Sequence, residues 1–69
     1  MQQVKALRES KGLTQKELAE QSGVHPMKIS KIEREEIDIL NITLRTALAL
    51  AKVLEVPIEN LIWPIGKAD

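Results

Sequence analysis

Three cations, Lys28, Lys31 and Arg34, recur at three-residue spacing just after His25 and Pro26. On a helix that spacing keeps them on one side, where ammonium and guanidinium groups can meet phosphates or the acceptor edges of bases. Lys31 can serve as a bidentate partner for guanine O6 and N7 or remain a solvated surface lysine, while Lys28 and Arg34 suit phosphate contacts. His25 is open to two roles, helix cap or phosphate donor. Met27 can pack on a thymine methyl or simply cover the helix end. Catalysis is poorly supported: with no Cys or Tyr and a single His next to a proline, no nucleophile, base and orienting group can be assembled. The same inventory leaves too few soft ligands for a zinc cage, so neither a metal nor another cofactor is expected.

At 69 residues the chain has room for one small domain, expected over 1–69, with no attached sensor or protease-like domain. The absence of cysteine excludes a disulfide framework and suits a reducing compartment. The N-terminal stretch MQQVKALRESKG has no apolar run, and ALALA at 47–51 is far too short to span a bilayer. A soluble, cytoplasmic protein without a membrane partner is expected. Net charge is zero, yet residues 1–34 carry seven Lys/Arg against four Glu, and residues 35–69 carry three against six acids. A basic half joined to an acidic half is one pointer toward nucleic acid.

The elements that must position these groups read as helices, and nothing reads as a strand. Val4, Leu7 and the stem of Lys11 recur at helical spacing and Gly12 is a stop, which predicts helix 1 over about 2–11. Thr14 and Glu17 form a capping box that starts helix 2. Gly23 can end it in the left-handed conformation, and Pro26 suits the first position of helix 3. Ile29 and Ile32 share the inward face of that helix, leaving Met27, Lys28, Ser30, Lys31 and Arg34 pointing elsewhere. Asn41 or Thr43 can cap helix 4 over about 44–54, with Leu44, Ala47, Leu48, Ala51 and Leu54 as its core stripe. A short fifth helix is predicted at about 58–62, between Pro57 and Pro64.

Two helices crossing steeply through a tight turn need a small residue at their approach, Ala19, a glycine at the corner, Gly23, and inward apolar side chains, Leu18, Val24, Ile29 and Ile32. With LTQKELAEQSGV and ISKIER, residues 4–63 resemble the helix-turn-helix family of the Cro and phage-repressor type, often called XRE-like. The resemblance implies an all-α, five-helix lambda-repressor-like domain, with the helix-turn-helix at about 14–34 and helix 3 in the DNA major groove. It implies a phosphate contact for Gln15, whose replacement would then spare stability, and base-edge contacts for Pro26, Met27 and Lys31. Arg8 and Glu33 are implied to form a partly buried pair joining helices 1 and 3. The DNA-facing set expected is therefore Gln15, His25, Pro26, Met27, Lys28, Ser30, Lys31 and Arg34.

The chain departs from the family pattern at several points. Pro26 offers neither side-chain donor nor amide, His25 replaces the usual Ser or Thr cap, Glu35 stands where glycine is common, and the loop before helix 4 is about three residues longer than usual. That loop, 35–42, carries four large aliphatic residues. It is either a plug over a small core or part of a self-association surface. In the second case Ile37, Ile39 and Leu40 would join Trp63 and Ile65, with the second half of helix 4 as a further candidate. The function expected is a transcriptional regulator, in particular a repressor, binding double-stranded DNA as a homodimer on an inverted-repeat operator. The alternative is an antitoxin or adaptor that uses the same fold to bind a protein.

Overall fold

A computed structural model of the chain describes residues 2–62. Four α-helices, α1 (Val4–Ser10), α2 (Gln15–Ser22), α3 (Pro26–Glu33) and α4 (Leu44–Leu54), are joined by short turns. Single 3₁₀ turns lie at Ile39–Asn41 and Ile58–Leu61. Among the described residues there is no strand, only an isolated antiparallel bridge from Gln2 to Ile62. The Gln3 amide donates to Leu61 O at 2.7 Å, which ties the start of the chain to the segment after α4.

The caps follow the local chemistry. Thr14 Oγ1 accepts from the Glu17 amide at 3.0 Å while Glu17 Oε1 accepts from the Thr14 amide at 2.9 Å, so both ends of the capping box close. Gly23 ends α2 at φ +77°, where a Cβ would be strained. Thr43, rather than Asn41, caps α4 through the Thr46 amide. In the core, Val4, Leu18, Ile29, Ile32, Leu50 and Leu61 are sealed from solvent. Thus α2 packs on both α3 and α4, and α1 closes the far side of α3.

Two expectations are corrected, and an alternative left open for the long loop is decided. The predicted fifth helix is one 3₁₀ turn, with the Asn60 amide donating to Pro57 O at 2.9 Å. Four residues starting behind a proline complete only an i to i+3 bond, so an α-helical ladder never starts. The expected stripe of α4 is displaced: Leu44 and Leu48 are 67% and 50% exposed, and the buried line runs through Leu50, Ala51 and Leu54. At 3.6 residues per turn Leu44 and Leu48 lie roughly 70° and 110° round the helix from that line. The repeated apolar spacing allowed two overlapping stripes, and packing against α2 and the Ile58–Leu61 turn selected the one through Leu50, Ala51 and Leu54. In the long loop, Ile39 is 6% exposed, and Ile37 and Ile42 pack against the core. Three of the four aliphatics are therefore a plug, and only Leu40, 71% exposed, faces solvent.

The helix stops at Glu35 and Glu55 show how the fold accommodates residues where glycine would be easier. Both adopt left-handed conformations, at φ +64° and +61°. After α3 the amides of Glu35 and Glu36 close back onto Ile32 O and Lys31 O, and after α4 those of Glu55 and Val56 close onto Lys52 O and Ala51 O. Each glutamate is held by a group flanking α1. Gln2 Nε2 donates to Glu35 Oε2 at 3.1 Å, and Lys11 Nζ is ion-paired with Glu55.

Candidate nucleic-acid interface

Helix α3 divides its residues as its period requires. Ile29 and Ile32 are fully buried against the core, whereas His25, Pro26, Met27 and Arg34 are exposed and Lys28, Ser30 and Lys31 half-buried. Met27 is 59% exposed at the first turn, so it does not serve as a core residue. The helix begins with an imidazole cap: the Met27 amide donates to His25 Nδ1 at 3.0 Å, and Pro26 occupies the first helical position. The capping role foreseen for His25 is therefore filled, and the cap uses only one ring nitrogen.

Gln15 sits differently from expectation. Its Nε2 donates to Glu33 Oε1 at 2.8 Å, and Glu33, with its side chain only 2% exposed, also accepts from Arg8 Nε at 2.8 Å and Arg8 Nη2 at 3.1 Å. Arg8 Nη1 donates in turn to Leu13 O at 2.8 Å. One carboxylate thus joins α1, the start of α2 and the end of α3. Its hydrogen bonds push the Arg8 guanidinium pKa up, against the opposing effect of burial. Gln15 thus makes a scaffold contact that a phosphate-only residue would lack.

Ion pairing then sorts the basic residues. Arg8 is neutralised by Glu33, Lys11 by Glu55, and Arg34 makes an exposed 3.3 Å pair with Glu36. Among the described residues Lys5, Lys16, Lys28, Lys31, Arg45 and Lys52 have no carboxylate within ion-pairing distance, and four of these, Lys16, Lys28, Lys31 and Arg45, lie on α3 or at the clefts beside its start. Lys28 and Arg45 line one cleft together with Ser22, His25 and Thr46. Lys16 lines a second cleft on the other side of the corner, with Glu20, His25 and Pro26. Three unpaired cations from three helices therefore line the two clefts beside the start of α3.

Lys16 and Arg45 were not anticipated from the sequence. The available signal for Arg45 was a cation in the first turn of a helix, where the dipole disfavours it. Among the described residues, no group of three His, Cys, Asp or Glu side chains is arranged to hold a metal ion. Of the two readings left open for the loop, Ile37 and Ile39 follow the plug over the core and not the self-association surface, and Trp63 and Ile65 lie outside the described residues. Among the described residues the large exposed apolar side chains are Met27 at the start of α3 and, away from it, Leu40, Leu44 and Leu48. Leu40 and Leu44 border a cleft of about 300 Å³ lined also by Ile42, Ala47, Ile58 and Ile62. No helix among the described residues is long and apolar enough to cross a membrane.

Comparison with known proteins agrees with this geometry. The helix-turn-helix family profile matches residues 4–61. Over 63 residues the chain is 38% identical to Control protein C.SmaI of Serratia marcescens, an alignment covering 91% of this chain and 71% of that protein. The chain belongs to the XRE-type helix-turn-helix family of DNA-binding transcriptional regulators.

Proposed function

We propose that this regulator is a sequence-specific repressor that sets α3 in the major groove and binds an inverted-repeat operator as a homodimer. The observation that carries the reading is the set of unpaired cations, Lys16, Lys28 and Arg45, lining the two clefts beside the exposed start of α3. Such charge neutralises phosphates on either side of a groove and leaves the helix between them to read bases. Lys31 reads a guanine, Met27 and Pro26 meet apolar base edges such as a thymine methyl, and Lys28, Arg34 and Arg45 hold phosphates, with Ser30 and His25 as polar donors. Gln15 keeps a second amide hydrogen for a phosphate while its first serves Glu33.

A single module of this size offers few base contacts, which favours two copies on two half-sites about one helical turn apart. The contact surface that fits is the leucine row Leu40, Leu44 and Leu48 beside the apolar cleft at Ile58 and Ile62, since exposed apolar side chains grouped in this way mark interfaces. That the related Serratia marcescens protein is named a control protein supports a regulatory role over the antitoxin or adaptor alternative. Selection of bound sequences from a random DNA pool, read together with sedimentation, tests the proposal. An enriched inverted repeat bound by a dimer is expected. No enriched sequence, or a monomer both free and on DNA, overturns it.

A further inference from the structure

The first turn of a helix ordinarily offers four free amides to an anion, and α3 has given up two of them. Pro26 has no amide, and the Met27 amide is taken by His25 Nδ1 at 3.0 Å. The same bond fixes the imidazole. A ring nitrogen that accepts carries no hydrogen, so the ring's hydrogen is on Nε2. His25 is exposed and lines both clefts at the corner, with Lys16 and Glu20 facing it from α2, Lys28 from α3 and Arg45 from α4. The family position usually holds a Ser or Thr, whose hydroxyl caps while keeping its own O–H close against the helix start. Histidine caps with one edge and presents a donor on the other.

Resting on the DNA-binding reading above, we propose that His25 is an affinity-determining contact: an uncharged Nε2–H, oriented by its own capping bond, that donates to an acceptor oxygen of the DNA. It replaces the helix amides that Pro26 and the cap remove. The acceptor is a phosphate oxygen or a base-edge oxygen, and the chemistry demanded of the side chain is the same for both. Because the donor is uncharged, it releases no counterion and adds nothing to the salt dependence of binding.

A chain of 69 residues is within reach of chemical synthesis, which allows His25 to be replaced by histidine methylated on Nε2. That residue keeps the Nδ1 cap and loses only the donor. His25→Ser, which also caps, is the companion variant. Both are expected to keep the melting temperature and to bind DNA about three- to tenfold more weakly, with an unchanged slope of log affinity against log salt. A long-range nitrogen NMR spectrum of the unmodified chain should show the hydrogen on Nε2. Equal loss on the selected site and on random DNA identifies the phosphate, and loss confined to the selected site identifies a base edge. Undiminished affinity in both variants, a salt slope reduced by about one, or the hydrogen on Nδ1 overturns the assignment while the DNA-binding reading stands. Failure of the unmodified chain to bind any DNA overturns both.

Discussion

Gln15 Nε2 lies 2.8 Å from Glu33 Oε1, so the first residue of α2 shares a buried carboxylate with Arg8. Gln15→Ala should therefore cost about 1–2 kcal/mol by removing a hydrogen bond to a charged acceptor. In a domain of this size that is a fall of roughly 5–10 °C in melting temperature. DNA affinity should fall by a similar factor on all sequences. Arg8→Ala removes the charge that compensates Glu33 and should cost about 3–5 kcal/mol, enough to unfold most of the population. Thermal melts of the two variants check the order. An unmoved melting temperature for Gln15→Ala would return that residue to a phosphate role alone.

Lys31 separates base reading from general attraction. It is half-buried on the outward side of α3 and has no carboxylate partner among the described residues. Lys31→Ala is expected to lose about 1–3 kcal/mol on the selected site and much less on random DNA. Arg45→Ala should instead weaken both equally and lower the salt slope by about one. Titrations at three salt concentrations distinguish them, and equal losses for Lys31→Ala would make it a phosphate contact.

The leucines of α4 distinguish surface from core. Leu44→Glu and Leu48→Glu place charges on positions that are 67% and 50% exposed, so helicity should survive while dimer affinity and DNA affinity fall together. Ile39→Glu buries an uncompensated charge at a position 6% exposed and should unfold the chain. Circular dichroism with sedimentation reads both. A dimer that persists in Leu44→Glu and Leu48→Glu would move the interface elsewhere.

Acid should loosen the end of α4. The hydrogen bond from Lys11, then its charge, holds the Glu55 carboxyl below the usual carboxylate range. A depressed acid contributes stability at pH above the ordinary carboxylate range and loses it as pH falls through the depressed value. Replacing Lys11 with Met should therefore flatten the decline of melting temperature below about pH 5, and more visibly at low salt because the pair is exposed. Identical acid limbs with and without Lys11 would show that this pair contributes nothing to folding.

Much of this protein was determined by its sequence alone, because the signals were local. A capping box closes within four residues, a glycine corner needs only its own φ, and Pro26 chooses a helix start by its ring. These placed α2, the turn and α3, and the inward pair Ile29 and Ile32, before any tertiary contact was considered. The tertiary structure decided what local signals leave degenerate. Two apolar stripes on α4 share the same period, and only packing against α2 and the Ile58–Leu61 turn chose Leu50 over Leu44 and Leu48. The aliphatic loop had no period, so its division into the buried Ile39 and the exposed Leu40 rests on the core it covers. Charge behaves likewise: Arg45 belongs to the acidic half of the chain, and folding alone brings it to the cleft of Lys28 and His25. Periodicity fixes which side of a helix is apolar; which neighbour covers that side is a property of the whole chain.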